Sequence, residues 1–94
     1  MKNNFGNIFC KIYGRVQGVG FRSWLKKRAT TYSLNGWVRN CDDQTVECEI
    51  SGEEQIIRVL LEDCKKGPLL SSVKEIFTQK KPFKKYSKFN INYR

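Results

Sequence analysis

The amino-acid sequence predicts an α+β fold in which two helices cover one face of an antiparallel sheet. Five segments are typical of strands, because apolar and polar residues alternate in them. Two longer segments are typical of helices, because their apolar residues recur every three or four positions. The order strand, helix, strand, strand, helix, strand, short strand is that of the split β-α-β, ferredoxin-like fold. One domain is expected over residues 1–94.

The first strand and the first helix open this order. The strand is predicted over residues 7–13, with Ile8, Cys10 and Ile12 pointing inward. The polar residues 1–6 before it are expected to form a frayed tail. The helix is predicted from Phe21 to Tyr32. Its apolar stripe consists of Phe21, Leu25, Ala29 and Tyr32.

A hairpin is predicted next, with strands over residues 34–41 and 45–50. Residues 42–44 form its turn, because aspartates there bond to their own local backbone. Arg39 and Glu47 both point outward, so we expect them to pair across the hairpin. Cys48, on the inward face, is expected to be a small core residue like Cys10.

The second helix is predicted to begin at a capping box over residues 51–54 and to stop at Gly67 and Pro68. Two strands complete the sheet, over residues 73–80 and 89–93, and a lysine-rich segment connects them. The apolar stripe of the helix is expected to contain Ile56, Ile57, Val59, Leu60, Leu61 and Cys64.

A glycine-rich turn joins the first strand to the first helix. Its residues are Gly14, Arg15, Val16, Gln17, Gly18, Val19, Gly20, Phe21 and Arg22. Glycines let backbone N–H groups converge, and the helix N-terminus adds unpaired N–H groups and partial positive charge. The turn is therefore expected to bind an anion such as phosphate. A tight strand-to-helix turn that serves geometry alone, with surface arginines, is the alternative at this point. It has neither the Lys-Ser/Thr pair of a Walker A loop nor the third glycine of a dinucleotide fingerprint.

The composition limits the ligands, metal sites and cellular locations that are expected for the chain. The net charge of +9 favours anionic ligands without choosing among metabolites, nucleic acid and acidic surfaces. With no histidine and no C-x-x-C pair, the chain is expected to hold free thiols and no structural zinc. Asp42 and Asp43 are interpreted as turn residues rather than as a metal site or a nucleophile. The sequence has neither a membrane span nor a secretory signal, so a cytoplasmic location is expected.

Two blocks, residues 14–22 and residues 34–40, resemble the two signatures of the acylphosphatases. Weaker matches follow in the order of that family, at Val46-Glu47 with Ser51-Gly52 and at Gly67-Pro68 with Val73. The resemblance implies the same ferredoxin-like fold. Ser33 and Gln44 stand where the family often has glycine, and Ser71 stands where it often has alanine.

This resemblance also implies a function and a site. The activity is hydrolysis of the carboxyl–phosphate bond of acyl phosphates, without cofactor, metal or covalent intermediate. Arg22 and the backbone of residues 15–20 (Arg15, Val16, Gln17, Gly18, Val19 and Gly20) bind the phosphate, and Asn40 orients the attacking water. The implied partners are a small acyl phosphate and inorganic phosphate, which is both product and competitive inhibitor. A monomer is expected.

Two other functions remain open at the level of sequence. The lysines of residues 80–88, interleaved with Phe83, Tyr86 and Phe89, could contact nucleic acid, although the aromatic signature of an RNA-recognition motif is absent. Acylphosphatase-like domains also occur within larger proteins that handle carbamoyl phosphate. A domain that binds acyl or carbamoyl phosphate without turnover of its own is therefore the closer alternative.

Overall fold

A computed structural model describes residues 4–93 and confirms the α+β, ferredoxin-like fold. The five strands form one sheet in the order β4-β1-β3-β2-β5. All neighbouring strands are antiparallel except β2 and β5, which are parallel, so the expectation of a wholly antiparallel sheet was wrong at this edge. The elements are β1 (Phe5–Arg15), α1 (Phe21–Thr31), β2 (Asn35–Asn40), β3 (Val46–Glu53), α2 (Glu54–Lys66), β4 (Ser72–Lys81) and β5 (Phe89–Ile91).

The core lies between the sheet and the two helices. Alternate residues of the central strands point into it, among them Cys10, Ile12 and Cys48. Leu25 and Ala29 of α1 meet them from the other side. Asp63 of α2 ties the helices together, because it accepts hydrogen bonds from Arg28 and from the hydroxyl of Tyr32 at 3.1 and 2.5 Å. The predictions for Cys10 and Cys48 are confirmed, and all four cysteines are free thiols.

The predicted frayed tail was wrong where it can be checked. Phe5 and Gly6 belong to β1 and pair with Glu53 and Gly52 of β3. The Asn4 carbonyl accepts a hydrogen bond of 2.9 Å from the backbone N–H of Glu54, so the chain is held at the start of α2. The rest of that prediction, residues 1–3, lies outside the described residues.

The capping box predicted for α2 was also wrong. Ser51 belongs to β3, and its hydroxyl donates to the carbonyl of Lys84 at 2.5 Å instead of capping the helix. Glu53 occupies the N-cap position and makes no side-chain capping bond. The buried stripe of α2 consists of Ile57, Leu60 and Cys64. Val59, which was predicted to belong to it, is 44% exposed.

Residues 82–88 connect the two edges of the sheet and cross it at the end where β1 begins. Asn7, Ser51 and Asn35, on three neighbouring strands, each donate a side-chain hydrogen bond to a backbone carbonyl of this connection. The connection explains the parallel pairing. It keeps the chain at the end of the sheet where β2 begins, so β5 starts there and runs in the same direction as β2. The other end of the sheet is left to shorter loops. Within residues 4–93, neither helix combines the length and apolar character required to span a bilayer.

Candidate active site

Four segments meet at the end of the sheet where β1 finishes. They are the glycine-rich loop of residues 16–20, the hairpin turn 41–45, the loop 67–71 before β4, and the residues that follow β5. A cleft of about 110 Å³ opens at this end, between the glycine-rich loop, the first turn of α1, the end of β2 and the residues at and after the end of β5. Its walls include Val16, Gly18, Gly20, Arg22, Asn40 and Tyr93. The fold thus brings Arg22 and Asn40, 18 positions apart in sequence, to one cavity.

The glycine-rich loop is held open by left-handed backbone at two positions. Gly18 has φ 74° and Gly20 has φ 78°, a region that residues with a Cβ rarely adopt. A Cβ built on either glycine meets no atom within 4 Å. Glycine is therefore required for backbone conformation and not for room against the protein. Val16 is buried and fixes the start of the loop in the core.

Gln17 anchors the middle of the loop. Its Nε2 donates to the carbonyls of Cys41 and Thr45 at 2.8 and 2.9 Å. Both carbonyls belong to the hairpin turn, directly after Asn40. The sequence predicted Gln17 only as a loop residue, and no local pattern signals this anchor, because its partners are 24 and 28 positions away. The bond pair sets the position of the loop relative to Asn40.

The N-terminus of α1 faces the cleft. Gly20 is its N-cap and supplies no side-chain capping bond. The first backbone N–H groups of a helix have no partner within it and carry partial positive charge. Arg22 stands in this first turn, with its guanidinium 5.2 Å from the centre of the Tyr93 ring. The Tyr93 ring stacks against one side of the guanidinium, so the N–H donors of Arg22 stay available to an anion.

Asn40 ends β2 and presents an unpaired acceptor. Its Oδ1 is shielded by the protein and receives no hydrogen bond from the residues that the structure describes. Buried amide oxygens are nearly always paired, so an unpaired one calls for an explanation, and the residue that carries it lines the cleft. Val38, two positions earlier, is fully buried and fixes the strand beneath it.

The hairpin turn confirms the interpretation of its aspartates as turn residues. Asp43 accepts hydrogen bonds from the hydroxyl and the backbone N–H of Thr45 at 2.5 and 3.2 Å, and Lys11 lies 2.9 Å away. The Thr45 hydroxyl, and then Lys11, lower the pKa of Asp43 to about 2. The predicted pair of Arg39 with Glu47 forms at 2.7 Å.

Other predicted site residues lie away from the cleft walls. Of the six loop residues, Val16, Gly18 and Gly20 line the cleft, whereas Arg15 is exposed beside it and Val19 packs on the core. Of the three aromatic residues considered for nucleic acid, only Phe83 is exposed, at 51%. Phe89 is buried, and the Tyr86 hydroxyl donates to Glu49 at 2.9 Å.

Comparison with known proteins agrees with this architecture. The family model described as Acylphosphatase matches residues 8–91. An acylphosphatase of Bacillus licheniformis is 42% identical over 83 residues, 87% of this chain and 92% of that protein. The crystal structure of acylphosphatase from Bacillus subtilis superposes with a TM-score of 0.91 at 33% identity, over 96% of this chain and all of that one. Full-length HypF in its phosphate- and nucleotide-bound form matches at 30% identity and TM-score 0.86, over 99% of this chain and 12% of that one.

Proposed function

The chain belongs to the acylphosphatase family and is an acyl phosphate hydrolase, and from this premise we propose how its cleft performs the reaction. The glycine-rich loop and Arg22 bind the phosphate, and Asn40 holds the water that attacks phosphorus. The observation that carries the proposal is the meeting of three features in one cleft. These are the loop of left-handed glycines, the guanidinium of Arg22 and the unpaired Oδ1 of Asn40.

The reaction demands little acid or base. The leaving group is a carboxylate whose conjugate acid has a pKa of about 4, so it departs without being protonated. The water oxygen forms a new bond to phosphorus as the bond from phosphorus to the acyl oxygen breaks, and that oxygen keeps the electron pair. The proton of the water passes to the phosphate product or to solvent. Catalysis then consists of positioning and charge stabilisation, as is usual for phosphoryl transfer.

Arg22 and the loop supply the charge stabilisation. Backbone N–H groups of residues 16–20 and of the first turn of α1 converge on the non-bridging phosphate oxygens. The fork of N–H donors on Arg22 matches two such oxygens. Since these donors are fixed before substrate arrives, they need no reorganisation as charge shifts in the transition state.

Asn40 supplies the direction of attack. Its Oδ1 accepts a hydrogen bond from the water and thereby aims a lone pair of the water oxygen at phosphorus. An amide keeps the same charge at every pH of interest, so this role does not depend on protonation. Neither a metal ion nor a covalent intermediate is part of the proposed mechanism.

Hydrolysis of benzoyl phosphate by the purified chain tests the mechanism. We expect turnover that is unaffected by EDTA and inhibited competitively by inorganic phosphate. Phosphate monoesters should be poor substrates, because an alkoxide leaving group needs a proton that the cleft does not donate. Loss of activity in EDTA that a divalent ion restores, or equal rates on both substrate classes, would contradict the mechanism. Phosphate binding without turnover would favour a binding domain.

We further propose that the enzyme works as one domain, as a monomer, in the cytoplasm. The buried thiols of Cys10, Cys48 and Cys64 support a reducing compartment. Every group assigned a role lies on one chain, which supports a monomer. Sedimentation velocity at the assay concentration checks the monomer. A dimer whose dissociation on dilution is accompanied by loss of activity would overturn it.

A further inference from the structure

A second cavity lies at the end of the sheet away from the catalytic cleft. It has a volume of about 170 Å³ and opens between the start of β1, the first turns of α2 and the end of β4. The residues that line it and the residues that line the cleft have no member in common. The cavity is therefore distinct from the site of hydrolysis.

Three aliphatic side chains give the cavity an apolar wall. Ile8 comes from β1, and Ile57 and Leu61 come from one face of α2, four positions apart. Ile57 belongs to the hydrophobic core, and the other two pack against it, so the wall is fixed. An apolar cavity of about 150 Å³ is enough to take up benzene in another protein. This cavity thus has room for an aromatic ring or a chain of about six carbons.

Arg58 and Lys80 add two cations to this wall. Arg58 follows Ile57 on α2 and lines the cavity. Lys80 pairs with Ile8 across β4 and β1, so both side chains lie on the same face of the sheet. Arg58 and Lys80 are exposed, and neither forms an ion pair with another residue within 4–93. Both cations are therefore available to a ligand.

The charges around the cavity favour an anion. Glu54 is the one acidic residue that lines it, and it lies over Gly6, where a built Cβ would come within 2.9 Å of its Oε2. Lys81 also lines the cavity, but its ammonium lies 5.9 Å from the centre of the Phe9 ring, on the other face of the sheet. Two cations, Arg58 and Lys80, against one carboxylate leave a net charge of +1. This charge attracts a monoanion and repels a cation.

An apolar cavity with a few convergent charged groups is the usual form of a small-molecule site. We propose that this cavity binds free carboxylates whose apolar part has the size of a benzene ring or a six-carbon chain. The apolar part lies against Ile8, Ile57 and Leu61. The carboxylate accepts hydrogen bonds from the guanidinium fork of Arg58 and from the ammonium of Lys80. The inference goes beyond the proposed function and does not depend on it, because the two sites are built from different residues.

NMR of the full ¹⁵N-labelled chain locates the site, with benzoate as the probe and inorganic phosphate present to compete for the catalytic cleft. We expect saturable shifts of the amide signals of Gly6, Ile8 and Ile57, with a Kd of about 1 mM for a ligand this small. Acetate has the charge without the ring, and benzyl alcohol and benzylamine have the ring without the negative charge. Each of the three should bind at least about tenfold more weakly than benzoate.

Two double variants test the cations. Arg58→Gln with Lys80→Gln should weaken benzoate binding about tenfold, since an exposed ion pair is worth up to about threefold to fivefold. Lys26→Gln with Lys74→Gln makes the same change in net charge at exposed positions outside the cavity. This control should bind benzoate as the wild type does. All four substituted side chains are exposed, and circular dichroism checks that both variants are folded.

Three outcomes would overturn the inference. The first is the absence of saturable shifts, or shifts confined to the glycine-rich loop and Arg22 that phosphate abolishes, which would place benzoate in the catalytic cleft. The second is benzyl alcohol or benzylamine that binds as tightly as benzoate, which would show that the cavity does not recognise the carboxylate. The third is a benzoate Kd that is the same in the Arg58→Gln, Lys80→Gln variant as in the control variant.

Discussion

Replacing Gln17 with methionine tests whether the phosphate loop and Asn40 form one rigid unit. Methionine keeps the length of the side chain but donates no hydrogen bond, so the contacts of 2.8 and 2.9 Å to the hairpin turn are lost. Each carbonyl keeps one backbone partner, Gln44 N–H for Cys41 and Cys41 N–H for Thr45, so no acceptor is left bare. The free energy of unfolding should therefore fall by the net contribution of two ordinary hydrogen bonds, about 2 kcal/mol.

The functional effect follows from the same number. A loop released by about 2 kcal/mol occupies its binding conformation for a smaller fraction of the time, and phosphate affinity falls in proportion, by up to about thirtyfold. Urea unfolding gives the stability, and competitive inhibition by inorganic phosphate gives the affinity. Gln55→Met, at an exposed position of α2, is the matched control and should change neither. A Gln17→Met protein that loses stability but binds phosphate as tightly as the wild type would refute the coupling of loop and turn.

Three further predictions concern local backbone and charge. Ser33→Gly and Gln44→Gly should each raise the free energy of unfolding by about 0.5–1 kcal/mol. The two residues have φ 60° and 73°, and glycine adopts this left-handed conformation without strain, at some entropic cost in the unfolded chain. Unchanged denaturation midpoints would contradict this prediction. Gly18→Val should weaken inhibition by phosphate, because its φ of 74° is strained for a β-branched residue; unaltered inhibition would place phosphate elsewhere. The pKa of Asp43 is lowered to about 2 in the folded protein. The Asp43 carboxylate therefore contributes its full stabilisation above the ordinary pKa of about 3.9. This stabilisation is lost as the pH falls towards 2. The stability difference between wild type and Asp43→Asn should therefore shrink from pH 5 to pH 2, and a constant difference would show that the carboxylate charge contributes nothing.

Local patterns in the sequence predicted most of the architecture. Alternation in β1 and β3 identified Cys10, Ile12 and Cys48 as core residues, because a strand in a two-layer fold has only one buried face. Ser33 and Gln44, which stand where the family often has glycine, both adopt the left-handed conformation that glycine favours. Arg22 and Asn40 could be selected because each ends a signature block, and the fold brings them to one cleft.

Features that depend on distant partners could not be predicted in this way. The residues from Ser51 to Glu54 fit a capping box, but the hydroxyl of Ser51 is taken by a carbonyl 33 positions away, on the connection that crosses the sheet. Val59 fits a helical stripe, yet the face of α2 that is buried is narrower, with Ile57, Leu60 and Cys64, and leaves Val59 exposed. The anchoring role of Gln17 and the parallel pairing of β5 also depend on tertiary contacts that no window of sequence contains.

The central claim is that Arg22 binds the phosphate while Asn40 acts on the water. Neither residue belongs to the buried core, so alanine variants of both should stay folded. The decisive measurement is kcat together with the phosphate inhibition constant for Asn40→Ala, with Arg22→Ala beside it. We predict that Arg22→Ala weakens phosphate binding, raises KM and lowers kcat, with a total loss of at least about 3 kcal/mol in kcat/KM. Asn40→Ala should lower kcat strongly and bind phosphate almost as tightly as the wild type. A folded Asn40→Ala protein that turns over normally, or that no longer binds phosphate, would contradict the division of roles.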